Sequence, residues 1–130
     1  EWVTAPIEVI SWQSQDGATI EGVLHKPVGF QAGKRYPLLV VIHGGPTGQY
    51  DHSFDATAQL FAAKGYAVIM PNPRGSSGWG EDFAAAIFAD WGNKDFSDVM
   101  AGADDAVARG LADKNRLVVG GWSYGGILTN

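Results

Sequence analysis

The feature that most constrains this chain is a set of short apolar runs that do not alternate. Leu38-Leu-Val-Val-Ile42, Ala67-Val-Ile-Met70 and Leu117-Val-Val119 each lack the in/out polarity of a half-exposed strand. Runs of this kind belong to strands covered on both faces, and the intervening segments read as helices that provide the cover. Between Ser53 and Lys64, Phe54, Ala58 and Phe61 recur at helical spacing, with Gly65 at the C′ position. From about Asn93 to Arg109, Phe96, Val99, Met100, Ala103 and Val107 fall on one face, which is expected to pack on the sheet, with Asn93 as cap and Gly110 as stop. Ile7 to Trp12 and Thr19 to His25, separated by Gln15-Asp16-Gly17-Ala18, read instead as an antiparallel hairpin. Pro71-Asn72-Pro73 is expected to stop the strand at Met70, and Glu81 to Trp91 to form a short helix. Arg116 to Val119 reads as a further short buried strand after a turn at Asp113-Lys-Asn115. The order β-β-β-α-β-α-β specifies an α/β fold with a mostly parallel sheet and an antiparallel start.

At 130 residues this is one domain's worth of chain, and it has no cysteine, which removes thiolate nucleophiles, disulfides and cysteine-ligated metals. A net charge of −5 has the wrong sign for nucleic acid or anionic membrane, and no apolar run approaches a bilayer span. The opening Glu1-Trp2-Val3-Thr4-Ala5-Pro6 has no signal-peptide character; localisation is weakly constrained, with the cytoplasm favoured. No cofactor is indicated: no Gly-Lys-Ser/Thr closes a glycine-rich loop, and Gly75, Gly78 and Gly80 have the wrong spacing for a dinucleotide fingerprint.

The chemistry concentrates in Gly121-Trp-Ser-Tyr-Gly125. G-x-S-x-G arises by chance in a chain this rich in glycine, but here an apolar strand runs straight into it and a helix-compatible stretch follows. That is the strand, turn and helix of a nucleophile elbow, with Ser123 projecting outward and Gly121, Gly125 and Gly126 permitting close approach. A serine nucleophile needs donors for the oxyanion of its tetrahedral intermediate. The amide of Tyr124 is one; the loop after the third strand, His43-Gly44-Gly45-Pro46, is placed to supply another. Arg74 is expected to brace its loop by pairing with acidic neighbours, among them Glu81, Asp82 and Asp95, and Trp79, Phe83 and Trp91 to serve packing.

His43-Gly-Gly-Pro46, Gly65 to Gly80 with its Pro-Asn-Pro-Arg-Gly-Ser-Ser-Gly core, Trp91-Gly-Asn-Lys-Asp95 with Asp98, and Gly120-Gly-Trp-Ser-Tyr-Gly-Gly126 occur in one order. In these motifs the chain resembles the prolyl oligopeptidase family of α/β-hydrolase serine peptidases, particularly its acylaminoacyl-peptidase-like branch. The resemblance implies cleavage of peptide or acyl-peptide bonds through an acyl-enzyme on Ser123, with the Gly45 and Tyr124 amides as oxyanion hole. Several members carry a tyrosine hydroxyl donor where this chain has His43, so a purely backbone hole is implied. The family also implies an upstream β-propeller.

In α/β-hydrolases the order is Ser, then Asp or Glu, then His, yet the seven residues after Ser123 contain neither acid nor histidine. None of His25, His43 and His52 is expected to substitute as base. The expectation is therefore a partial α/β-hydrolase fold, residues 1–130 being the N-terminal half of a catalytic domain, truncated after the elbow and inactive without a remainder that supplies Asp and His. The elbow strand is then a sheet edge open to pairing, and self-association into a homo-oligomer is one outcome. An esterase or lipase on the same elbow and an inactive binding module are the alternative functions.

Overall fold

The computed structural model describes residues 3–130; Glu1 and Trp2, which open the stretch read for a leader, lie outside the described residues. Five strands, β1 (Ile7–Gln13), β2 (Thr19–His25), β3 (Tyr36–Ile42), β4 (Ala67–Asn72) and β5 (Ala112–Gly121), form one sheet in the order β1-β2-β4-β3-β5. β3 is parallel to both β4 and β5, while β2 is antiparallel to β1 and β4, so β2 alone runs against the others. Helices α1 (Ala56–Ala63), α2 (Glu81–Ala85), α3 (Lys94–Ala108) and α4 (Tyr124–Thr129) complete the chain. The α/β class and the antiparallel hairpin thus agree with the sequence reading.

Strand periodicity divides the core. Leu38, Val40 and Ile42 join Trp12, Ile20, Leu24, Ile69 and the α3 and α4 residues Val99, Ala106, Tyr124 and Leu128. Leu39 and Val68 join Val23, Met70 and Ala58 of α1 on the other face. The chain therefore leaves β3 toward one face and β5 toward the other. A crevice opens between adjacent parallel strands at such a point, outside their C-terminal ends.

Several boundaries differ from those the sequence implied. β4 continues through Pro71 and Asn72, with Pro71 opposite Gly22 of β2. Its last β3 partner is Ile69, so the proline falls where one side is unpaired and no amide is demanded of it. Phe54 precedes α1 and is exposed; the helix starts at the Asp55 cap, whose carboxylate accepts from the Ala58 amide at 2.8 Å. α2 stops at Ala85, well short of Trp91. α1 and α3 both close in Schellman motifs, Tyr66 N to Phe61 O and Leu111 N to Ala106 O, each at 3.1 Å. Asn93 sits at the N-cap of α3 without capping through its side chain.

The face of α3 is the larger correction. Of the face expected on the sheet, Val99 is buried and Ala103 and Val107 pack against the core, but Phe96 and Met100 are 46% and 43% exposed; the buried positions of the helix are Asp95, Asp98, Val99, Gly102 and Ala106. The reason is Trp12. Its indole lies against Gly102, where a Cβ would come within 2.6 Å of the ring, and its Nε1–H donates to the Asp98 carbonyl at 2.9 Å. That wedge turns the helix so that its small and acidic side faces inward. Phe96, Met100 and Ala103 instead line an apolar groove of about 210 Å³ with Leu117, Val118 and Leu128.

β5 is longer than the four residues expected, and it is not buried. Tyr36 pairs with Ala112 and Leu38 with Leu117, so residues 113–116 loop out of register around an Asx turn from Asp113 to the Asn115 amide. Leu117, Val118 and Val119 are each more than 40% exposed, because β5 is an edge strand among the described residues. Its apolar composition is that of a two-sided strand in a one-sided position.

Candidate active site

Residues Ile42 and Gly121 are register partners at the ends of β3 and β5, so the loops that follow them start side by side. After Gly121 the backbone turns sharply into α4. Ser123, at the corner, has φ 58° and ψ −122°, a left-handed geometry that costs a non-glycine residue about 1–3 kcal/mol. Gly125 N to Trp122 O at 2.9 Å and Ile127 N to Ser123 O at 3.1 Å hold it there. Ser123 is exposed, as expected of a residue at the tip.

The turn can form only because strand and helix nearly touch. A Cβ on Gly121 would lie 2.4 Å from the Gly125 carbonyl oxygen, and one on Gly125 only 2.1 Å from the Ile42 carbonyl oxygen. Gly126 is under no such constraint, since its nearest neighbour is at 3.6 Å. Across the crevice a Cβ on Gly44 would sit 3.5 Å from Ser123 Cβ and 3.4 Å from the Trp122 carbonyl oxygen. The diglycine corner and the serine corner are therefore close neighbours, with room for no more than one added methyl between them, and Gly45 follows at the exposed tip of its loop. Tyr124, as the first residue of α4, has a backbone N–H of the kind a helix leaves without an intrahelical partner.

Two of the three histidines are engaged with other partners, and the third is buried. His43 Nδ1–H donates to its neighbour's carbonyl, Gly44 O, at 2.8 Å, which leaves Nε2 to accept the Ser76 hydroxyl at 2.8 Å. Burial lowers its pKa, so the ring is neutral and ties the diglycine corner to the loop after β4. His52 Nε2 bonds to the Ile7 carbonyl. His25 is fully buried with neither ring nitrogen hydrogen-bonded among the described residues, and burial depresses its pKa.

Arg74 does brace its loop, but not through Glu81, Asp82 or Asp95. Its guanidinium binds both oxygens of fully buried Asp98, at 3.0 and 2.7 Å, and reaches Asp16 of the hairpin turn at 2.6 and 3.1 Å. Asp98 Oδ2 also accepts the Arg74 amide at 2.9 Å. The guanidinium holds the exposed Asp16 carboxyl below its usual range. Asp95 serves another partner: its carboxylate accepts the Tyr124 hydroxyl, together with the Gly92 and Phe96 amides at 2.9 Å each. Tyr124 is buried, with Trp91 edge-on at 5.2 Å, and burial followed by the Asp95 bond raises its phenol pKa far above the ordinary value.

Removing the Arg74 charge strands the Asp98 carboxylate in the interior. Arg74→Met is expected to lower unfolding free energy by about 3–5 kcal/mol, whereas Asp16→Asn, at the solvent end of the same network, shifts the urea midpoint far less. Equal effects from the two substitutions contradict this account.

Sequence reasoning passed over Asp95, Asp98 and Ser76 as site supports. The available signal was two carboxylates three residues apart on one side of a helix, with a loop arginine to meet them. The apolar periodicity of the opposite side outweighed it.

The sequence pattern of the prolyl oligopeptidase family matches residues 52–130, more than half of the chain. The chain belongs to that family. Among curated relatives, the uncharacterized peptidase YuxL of Bacillus subtilis is 44% identical over 124 residues, covering 95% of this chain and 19% of its own. Dipeptidyl-peptidase 5 of Schizosaccharomyces pombe is 35% identical over 126 residues (95% and 18%). The acylamino-acid-releasing enzyme of Arabidopsis thaliana is 39% identical over 97 residues (75% and 13%). Among solved structures, the acylaminoacyl peptidase of Pyrococcus horikoshii superimposes with a TM-score of 0.88 at 35% identity, over 98% of this chain and 21% of that one. A puromycin-hydrolyzing peptidase of Mycobacterium tuberculosis gives 0.89 at 29% identity, over 96% and 20%. The fold is thus part of the α/β-hydrolase fold of prolyl oligopeptidase family peptidases. The chain spans about a fifth of the length of these relatives.

Proposed function

We propose that the protein carrying this chain is a serine peptidase that hydrolyses peptide or acyl-peptide bonds through an acyl-enzyme on Ser123. The observation that carries the reading is the closeness of the two corners: an exposed serine in strained backbone beside a diglycine turn, so near that a Cβ added to Gly44 would lie 3.5 Å from Ser123 Cβ. In this reading the Ser123 hydroxyl adds to the substrate carbonyl and gives its proton to an imidazole, and the carbonyl oxygen becomes an oxyanion between the Tyr124 and Gly45 amides. Collapse returns the proton to the departing amine and leaves the acyl group on Ser123 Oγ; water then hydrolyses the ester by the same route. The imidazole and its orienting carboxylate come from outside residues 1–130, since His25, His43 and His52 are buried or committed to other partners. Peptidase names among the relatives support amide over simple ester substrates.

The test is labelling by a fluorophosphonate, which reacts with activated serines. The full natural polypeptide that contains residues 1–130 is expected to label within minutes at Ser123 and not at all as Ser123→Ala, while residues 1–130 alone stay unlabelled. Absence of labelling in the full polypeptide defeats the acyl-enzyme reading and favours a binding module. Turnover confined to esters, with aminoacyl amides untouched, replaces the peptidase with an esterase.

A further inference from the structure

The acyl-enzyme reading gives the Tyr124 amide a role but leaves its side chain unexplained. A buried ring at this position needs no hydroxyl: phenylalanine fills the same space, and no carboxylate then has to be taken out of water to meet it. The structure instead spends a fully buried carboxylate on that hydroxyl. Among the described residues Asp95 has no ion-pair partner, and Arg74 is committed to Asp98 and Asp16. It is satisfied by three donors: the Gly92 and Phe96 amides, which lock it to the first turn of α3, and the Tyr124 hydroxyl. One turn further along, Asp98 grips Arg74. Beyond Arg74 the same loop carries Ser76, which holds His43 and through it the Gly44 carbonyl. Both corners of the crevice are thereby referred to one rigid helix end.

We propose that Asp95 is a positioning residue: by fixing the Tyr124 hydroxyl to α3 it aims the Tyr124 backbone amide at the oxyanion position and holds Ser123 in its left-handed conformation. The inference rests on the acyl-enzyme reading. The geometry argues for it because residue 124 has two ends, an amide at the start of α4 next to Ser123 and a phenol held inside the core, and a directional bond at one end constrains the orientation of the other. Oxyanion stabilisation depends steeply on that aim, since a donor must lie within hydrogen-bond reach of where the charge develops.

The test uses the full natural polypeptide with Tyr124→Phe, Asp95→Asn and the double variant, assayed on an aminoacyl anilide. The expected result is a fall in kcat of about 10-fold to 100-fold with KM within twofold. Affinity for a peptide aldehyde, whose hemiacetal oxygen occupies the oxyanion position, falls by the same factor, while inhibition by the cleaved product peptide is unchanged. The double variant is expected to be no worse than the worse single one, as for two ends of one bond. If kcat per folded molecule is unchanged and only the melting temperature drops, the bond is structural and the proposal is overturned. Tyr124→Phe keeps the ring and decides the matter should Asp95→Asn fail to fold. Fluorophosphonate labelling separates the levels. A wild type that labels, with Tyr124→Phe retaining full kcat, removes only this inference; a wild type that does not label removes the reading beneath it as well.

Discussion

Ser123→Ala in the full polypeptide is expected to reduce kcat by about four to six orders of magnitude while substrate and product affinities stay within a few-fold. The size of the effect follows from what alanine leaves. The Tyr124 and Gly45 amides remain in place, so binding and oxyanion stabilisation persist, but no oxygen is available to form the acyl-enzyme. Thermal stability is the informative companion measurement. Alanine pays nearly the same steric cost at φ 58° as serine does, so the melting temperature is expected to stay within a few degrees. Ser123→Gly, which relieves that cost, is expected to raise it. A Ser123→Ala protein that retains more than a few per cent of wild-type turnover removes the nucleophile from this position.

Gly125→Ala is expected to be the most damaging single-methyl change in the chain. Alanine is ordinarily the better helix former by about 1 kcal/mol, and α4 has the backbone of a helix at this point. Here the added Cβ runs into the main chain at the end of β3: the Ile42 carbonyl oxygen at 2.1 Å, the Ile42 carbonyl carbon at 2.8 Å and the His43 oxygen at 3.0 Å. No side chain can rotate aside to make room. α4 must lift from the end of β3, which parts the serine corner from the diglycine corner. The expected stability loss is about 3 kcal/mol or more in urea denaturation, with turnover lower by at least 100-fold per folded molecule. Gly126→Ala is the internal control. Its Cβ has 3.6 Å of clearance, so it is expected to be neutral or slightly stabilising. Comparable damage from the two would mean that helix propensity, not contact with β3, governs the elbow.

These two glycines also mark where the sequence stopped being informative. The spacing Gly121-x-Ser123-x-Gly125 after an apolar run foretold the bend, and three small residues were read as permitting close approach. Which of them is pressed against backbone depends on the depth at which α4 enters the crevice, and β3, eighty residues earlier, sets that depth. Likewise the acidic pair on α3 was visible, but the apolar residues beside it have a stronger helical period. The choice between the two faces was made by Trp12, a side chain from the first strand seeking a glycine to lie on. Arg74 shows the same division: a loop arginine among carboxylates was expected to find one, but Asp98 and Asp16 are distant in sequence and reach it only through the packed fold.

The sequence by itself determined the class of sheet, the antiparallel entry and the existence of a strained serine turn. Those properties depend on local composition: apolar runs that cannot alternate, a proline or glycine where a helix must stop, and glycines spaced around Ser123. The tertiary structure alone decided the closeness of the two corners, the inward face of α3 and the buried carboxylates that hold Tyr124 and Arg74. Each is a meeting of groups far apart along the chain, and their distances are fixed by packing in three dimensions, which no local pattern encodes.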